Sequence, residues 1–164
     1  MHGDMARFYT RALVGLASLC FFSCAQKSHF VHVSDLPLKE TALPSMAWQE
    51  GPLRANAQYV LYGAQSNKEV KARLGDYYFV QWYDAFPTRP TRLEMVYTQA
   101  LTASQKRTWV KDYTKPRGFR GTRKTLISFV GPERAKRGDI LSWRLNLYVD
   151  GKLSDSRKSY LWQD

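Results

Sequence analysis

The decamer ILSWRLNLYV at positions 140–149 constrains the fold more than any other stretch of the chain. Apolar and polar residues alternate strictly over its last nine positions, 141–149, which predicts a β-strand with one buried face and one wet face, as in an antiparallel sheet. Asp150-Gly151 follows and predicts a tight hairpin, because this pair tolerates positive φ angles. The predicted buried residues are Leu141, Trp143, Leu145, Leu147 and Val149, and the predicted wet ones are Ser142, Arg144, Asn146 and Tyr148.

The return strand of this hairpin, LSDSRKSYLW at 153–162, has two possible registers. A two-residue loop places Lys158 and Tyr160 on the buried side. One bulged residue instead places Leu153 and Leu161 there, together with Asp155 and Arg157.

Upstream segments rich in β-branched and aromatic residues predict further strands, separated by turn-like pieces. Seven short strands within one domain's length of chain indicate a two-sheet antiparallel sandwich. Strand number, spacing and inner-strand tryptophans over 57–162 resemble an immunoglobulin or fibronectin type III domain; a small closed barrel is the alternative. The upstream strands are predicted at AQYVLYG (57–63), GDYYFVQWY (75–83), RLEMVYTQAL (92–101), KRTWVKDY (106–113) and TRKTLISFV (122–130).

The N-terminal region carries an uncharged run, ALVGLASLCFF at 12–22, preceded by Arg7 and Arg11. As a helix it would be about 16 Å long, roughly half the hydrocarbon thickness of a bilayer. A short apolar core behind basic residues is typical of a secretory signal peptide.

Phe21-Phe22-Ser23-Cys24 at the end of this run resembles a bacterial lipobox. The resemblance implies cleavage before a diacylated Cys24, and by the sorting rule of enteric bacteria Ala25 favours the outer membrane. The predicted organisation is a signal peptide (1–23), a lipidated cysteine with a flexible tether (24–56) and a sandwich domain (57–164). With Cys20 removed, the mature chain has no internal disulfide and is stabilised by its core alone.

The mature chain offers little for catalysis. Its only histidines, His29 and His32, lie in the predicted tether, so neither a Ser-His-Asp nor a Cys-His arrangement is expected. No carboxylate-rich set completes a metal site, and no phosphate or dinucleotide fingerprint is present, so we expect no metal, no cofactor and no enzymatic activity. Asp76, Asp84 and Asp139 are interpreted as turn-capping residues at strand ends.

The charge is unusual: 25 Lys and Arg against 14 Asp and Glu, a net +11. Export excludes nucleic acid as the expected partner, which leaves anionic lipid, lipopolysaccharide and acidic glycans. In an antiparallel sandwich the loops 84–91, 114–121 and 150–151 meet at the end where the first strand begins, nearest the anchor. The basic residues predicted at this end are Arg89, Arg92, Lys115, Arg117, Arg120, Arg123, Lys124 and Lys152, against Asp84, Asp112 and Asp150.

The sequence therefore predicts a lipid-anchored binding or assembly protein of the cell envelope, with its basic end facing an anionic membrane. One alternative is a carbohydrate-binding module, in which an exposed aromatic such as Tyr148 stacks on a sugar ring. A second is a small hydrolase with two converging carboxylates of perturbed pKa. A third is an inhibitor or chaperone-like domain that captures a strand at an open sheet edge.

Overall fold

The computed structural model describes residues 26–42, 51–102, 105–116 and 118–163. Two short 3-10 turns, Glu40–Ala42 and Ala100–Thr102, accompany the longer elements. The helices described are α1 (Gly51–Leu61), α2 (Asn67–Ala72) and α3 (Pro132–Arg137). The strands are β1 (His29–Leu38), β2 (Gly75–Asp84), β3 (Thr91–Gln99), β4 (Arg107–Tyr113), β5 (Gly121–Val130), β6 (Ile140–Val149) and β7 (Lys152–Lys158).

The seven described strands form two antiparallel sheets, ordered β1-β2-β5 and β4-β3-β6-β7. The chain crosses between sheets after β2, β4 and β5, while β3-β4 and β6-β7 are hairpins within one sheet. The predicted seven-stranded antiparallel sandwich is thus confirmed, and the described strands do not join into the closed barrel that was the alternative.

The main core lies between the two sheets. Tyr78, Val80 and Trp82 of β2 face residues of β3 and β6, including Met95 and Leu147. Trp143 packs against this core as predicted, with its ring 5.7 Å from Tyr78 in an edge-on arrangement. The alternate positions of these core residues confirm the strand phase that the period-two pattern predicted for the inner strands.

The prediction of a flexible tether from 24 to 56 is wrong for residues 29–38, which form β1 and pair with β2 along their length. Phe30 and Val33 pack against the main core, whereas Leu36 and Leu38 belong to a second apolar cluster under α1. Because apolar residues of β1 contact the main core on one face and α1 on the other, they do not follow a simple alternation. The sequence pattern therefore did not indicate a strand there. Pro37 is tolerated because β1 is an edge strand.

The strand predicted at 57–63 is also wrong, since these residues belong largely to α1. Leu53, Ala57, Val60 and Leu61 follow a helical spacing and pack on the outer side of the β1-β2-β5 sheet. Six of the eleven residues of α1, residues 51–56, fall in the segment assigned to the tether. The remainder, rich in β-branched and aromatic residues, therefore looked like an isolated strand.

The β6-β7 hairpin turns as predicted at Asp150 and Gly151, whose φ angles are +51° and +73°. A register shift after Leu153 then places Asp155 opposite Leu147, as in the bulged alternative. Leu153 precedes the shift and is 58% exposed, so its predicted burial is wrong. Leu161, placed on the buried side in the same register, is also exposed.

Leu141, predicted to be buried, is 42% exposed. A register shift at the start of β6 pairs Gln99 with Ile140 and Thr98 with Ser142, which leaves Leu141 as the extra residue. A bulged residue is released from the alternation of its strand, so Leu141 no longer shares the phase of Leu145.

Asp155 links the first and last strands. Its Oδ2 atom accepts a hydrogen bond from the backbone N–H of Phe30 at 2.8 Å, across 125 positions of the chain. The edge of one sheet is therefore fastened to the edge of the other at β1 and β7. Within the described residues, no helix combines the length and apolar character required to cross a membrane.

Candidate functional site: the N-terminal end of the sandwich

One end of the sandwich gathers the start of the described chain and three connecting loops. The start of β1 pairs with the end of β2, which pairs with the start of β5. The start of β3 pairs with the ends of β4 and β6, and β7 begins beside the end of β6. We call this region the N-terminal end and define it by residues 26–29 with the loops 85–90, 114–120 and 150–151.

Two arginines at the N-terminal end are offset by carboxylates. Arg92 forms a bidentate pair with Asp112, from Nε to Oδ1 at 2.7 Å and from Nη2 to Oδ2 at 3.2 Å. Arg89 lies 3.4 Å from Asp150 and stacks over the ring of Phe86. Both pairs are exposed, so they neutralise local charge while adding little stability.

Arg123 is not a surface cation, contrary to its predicted place on a binding surface. Its side chain is 8% exposed and forms an ion pair with Asp84, which is 1% exposed. The guanidinium lies 5.2 Å from the ring of Trp82 and 5.3 Å from that of Tyr113. Arg123 is therefore part of the interior of this end and cannot contact a ligand there.

Four further predicted cations at this end, Lys115, Arg120, Lys124 and Lys152, are exposed, as is Lys27, which the sequence analysis did not single out. Among the described residues, Lys115, Lys124 and Lys152 form no ion pair. Arg117 lies outside the described residues. At the N-terminal end, the exposed cations without a carboxylate partner among the described residues are Lys27, Lys115, Arg120, Lys124 and Lys152.

The chain just before β1 is fixed to the sandwich. Ser28 is fully buried; its Oγ atom accepts a hydrogen bond from Ala85 N–H at 3.0 Å, and its carbonyl accepts one from Ser154 Oγ at 2.7 Å. Gln26 accepts a hydrogen bond from Arg120 at 2.9 Å and donates one to Tyr83 at 3.0 Å. Residues 26–28 are thus bound to the loops of the N-terminal end. The predicted Cys24 anchor itself lies outside the described residues.

Several cations at the opposite end of the sandwich form ion pairs or hydrogen bonds with other residues of the protein. Lys71 pairs with Glu40 at 3.2 Å. Arg73 donates hydrogen bonds to the carbonyls of Val60 and Tyr62 at the end of α1. Lys68, Lys106 and Lys136 remain exposed at this end and form no ion pair among the described residues, so cations available to solvent are present at both ends.

Two carboxylates do converge at this opposite end, around Arg134 of α3. Arg134 donates from Nε to Asp76 at 3.0 Å and from Nη2 to Asp139, and Lys39 forms a second ion pair with Asp139. Asp76 also accepts a hydrogen bond from Ile140 N–H at 3.3 Å. A cavity of about 240 Å³ opens beside both carboxylates.

The pKa values of these two carboxyl groups shift in opposite directions. Burial raises the pKa of Asp76 above its ordinary value, against the opposing effect of Arg134. The hydrogen bond from Lys39 lowers the pKa of Asp139. Opposed pKa shifts are also seen in acid-base pairs. Here both carboxylates are held by cations that join β1, β2, α3 and β6, as expected of a network that fastens this end of the fold.

A wider pocket of about 450 Å³ lies on the outer face of the four-stranded sheet, next to the N-terminal end. Glu94 accepts hydrogen bonds there from Asn146 at 3.0 Å and from the hydroxyl of Tyr148 at 3.2 Å. Burial and the neighbouring Glu94 raise the pKa of Tyr148. Tyr148, predicted to lie on the wet face, is the aromatic side chain among the described lining residues.

His29 packs and hydrogen-bonds within the N-terminal end, whereas His32 is exposed. His29 lies against the ring of Tyr83 at 5.6 Å, and its Nδ1 atom is 2.9 Å from the carbonyl of Lys27. His32 sits beyond the register shift of β1. Within the described parts of the chain, no group of three or more His, Cys, Asp or Glu residues is placed to hold a metal ion.

Comparisons of this chain with protein-family models, with curated proteins and with solved structures found no match.

Proposed function

We propose that the chain is an exported, lipid-anchored β-sandwich that holds its N-terminal end against an anionic membrane surface of the cell envelope, as a non-enzymatic binding or assembly module. The observation that carries this proposal is the position of Ser28. It is buried, bonded to the loop after β2 and to β7, and only four residues after Cys24. A lipid on Cys24 would then reach the domain through at most about 14 Å of extended chain.

This short connection determines which surface faces the membrane. The exposed cations Lys27, Lys115, Arg120, Lys124 and Lys152 share the end of the sandwich that contains Ser28. Each basic side chain within a Debye length of an anionic membrane contributes on the order of 1 kcal/mol to binding. The acyl chains on Cys24 would hold the protein at the membrane, and a basic surface beside them provides a second interaction that orients the domain.

The anchor is tested by fractionation and by mass spectrometry of the mature N-terminus. An acylated Cys24 supports the proposal, and Cys24→Ala should release the protein from membrane fractions. A mature N-terminus that begins at another, unmodified residue contradicts the anchor.

The charged surface is tested with the mature chain, residues 24–164 carrying Cys24→Ser, and with phosphatidylglycerol and phosphatidylcholine vesicles. The double reversal Lys115→Glu/Lys152→Glu should weaken binding to the anionic vesicles by at least about tenfold, given about 1 kcal/mol per cation. The matched control is Lys68→Glu/Lys136→Glu, which reverses two exposed lysines at the opposite end. Equal losses from both variants would contradict an oriented surface and leave only nonspecific basicity.

Binding of a neutral glycan is the second candidate, favoured by the pocket of about 450 Å³ that combines the Tyr148 ring with the carboxylate of Glu94 and the Arg92–Asp112 pair. Titration of the mature chain with neutral oligosaccharides, compared with a Tyr148→Ala variant, tests it. Saturable binding that the substitution abolishes would favour this function over the membrane surface.

A further inference from the structure

Phe119 is an exposed aromatic side chain in a basic loop. It is 71% exposed and lies next to Arg120, with Lys115 earlier in the same loop. Burial of a phenylalanine side chain stabilises a folded protein, and Phe119 does not contribute in this way to the described fold. An aromatic side chain among cations is the composition found where proteins enter the interfacial layer of a membrane.

The position of this loop is set by the hydrogen bond from Arg120 Nη1 to Gln26 Oε1 at 2.9 Å. Gln26 in turn donates to the hydroxyl of Tyr83 at 3.0 Å, so the loop, the start of the described chain and β2 are joined. Gln26 is two residues after Cys24, a span of at most about 7 Å. Phe119, adjacent in sequence to Arg120, therefore lies beside the point where the chain would enter the membrane.

Phe119 differs in this respect from Leu101, an apolar side chain of similar exposure. Leu101 is 69% exposed, but it follows β3 at the opposite end of the sandwich. A nine-residue strand separates that end from the N-terminal end by about 30 Å. Exposure alone does not distinguish the two side chains, whereas proximity to residue 26 does.

We propose that Phe119 inserts into the interfacial layer of an anionic phospholipid membrane, the one in which Cys24 is anchored, while Lys115 and Arg120 lie at the level of the lipid phosphates. This inference rests on the proposed function and adds a hydrophobic contact to it. Insertion of Phe119 would restrict rotation of the sandwich about the short segment that joins it to Cys24, because the anchor and Phe119 contact the membrane at separate points.

The experiment uses a unique thiol at position 119. The chain has 2 cysteines, Cys20 and Cys24, so the mature chain with Cys24→Ser has none, and Phe119→Cys can be labelled with an environment-sensitive fluorophore. Leu101→Cys, equally exposed at the far end, is the matched control. On phosphatidylglycerol vesicles the label at 119 should shift to the blue and be quenched by nitroxides on the lipid acyl chains. The label at 101 should do neither.

A second variant tests the energetic contribution without a label. Phe119→Ala should weaken binding to phosphatidylglycerol vesicles by roughly tenfold at constant salt, whereas Phe119→Leu should retain most of the affinity. Salt-dependent vesicle binding with no spectral shift at 119 and no effect of Phe119→Ala would overturn the insertion and leave the proposed function standing. Failure of the unlabelled mature chain to bind anionic vesicles at low salt would overturn both.

Discussion

Asp84 and Arg123 form an ion pair between β2 and β5 in the interior of the N-terminal end. Asp84 also accepts a hydrogen bond from Phe86 N–H at 3.1 Å, and Arg123 lies between the rings of Trp82 and Tyr113. The ion pair thus joins β2 to β5, and the hydrogen bond from Phe86 fixes the start of the loop that follows β2.

Removal of one partner should leave the other charge buried without compensation. We expect Asp84→Ala to lower the free energy of unfolding by about 3–5 kcal/mol, measured by urea denaturation. Asp112→Ala breaks the exposed pair with Arg92 and should cost less than about 1 kcal/mol. Similar losses for the two variants would contradict the buried position of Arg123.

Ser28 provides a test of the attachment of the N-terminal segment. Ser28→Ala leaves the N–H of Ala85 without its acceptor and should cost about 1–3 kcal/mol of unfolding free energy. Amide hydrogen exchange at Ala85 should accelerate in the same variant. Ser128→Ala, on the exposed side of β5, is the control and should change stability by less than about 0.5 kcal/mol. An unchanged exchange rate at Ala85 would contradict the hydrogen bond.

Gly75 has no room for a side chain. A Cβ atom there would lie 2.3 Å from the carbonyl oxygen of Phe129 in the neighbouring strand. We expect Gly75→Ala to force β2 and β5 apart and to cost about 1–3 kcal/mol, measured by thermal or urea unfolding. At Gly51 nothing lies within 4 Å of the same atom, so Gly51→Ala should be close to neutral. Equal stabilities of the two variants would contradict the close approach.

Asp76 and Asp139 should titrate in a fixed order. Burial raises the pKa of Asp76, and the Lys39 hydrogen bond lowers that of Asp139, so carbon NMR should show Asp76 protonating first as the pH falls. The stabilising effect of ionised Asp139 is present at neutral pH and is lost as the pH falls through its lowered pKa. The cost of ionising Asp76 in the fold disappears over a higher pH range, around its raised pKa.

The Lys39→Ala variant identifies the cause of the second shift. It should move the pKa of Asp139 upward, towards the ordinary value of an aspartate, because the largest contribution to the lowering is removed. An Asp139 titration unaffected by Lys39→Ala would contradict that assignment.

The extent to which sequence predicted this fold depended on how each strand is covered. The alternation of β6 correctly predicted that Leu145 and Leu147 lie in the core, whereas Asn146, predicted to be on a wet face, is only 4% exposed. In β1 the register shift between Phe30 and His32 places Phe30 in the main core and Leu36 under α1, although a spacing of six residues would otherwise put both on one face. The sequence patterns of β1 and α1 can be interpreted correctly only once it is known that the two elements pack on each other.

The candidate site was predictable as a meeting of loops, because antiparallel strands return alternate connections to the same end. The charge state of that end was not, since Arg89, Arg92 and Arg123 are indistinguishable from Lys115 in a sequence until their carboxylate partners are placed. Because residues 24–56 were assigned to a flexible tether, the sequence analysis did not predict that Lys27 and Ser28 belong to the N-terminal end. The run HFVHV at 29–33, directly after them, was the signal that could have revealed a strand.

The hydrogen bond between Phe30 and Asp155 also bears on how the protein folds. The first strand of the sandwich is fastened to the last, so this part of the native structure cannot form until nearly the whole chain is present. Contacts of such long sequence separation slow folding, because the entropy of closing a long loop is lost before the contact stabilises the fold. Under the export proposed above, this delay would keep the chain unfolded until it has crossed the membrane. We expect the sandwich to complete its folding only after β7 has emerged on the far side.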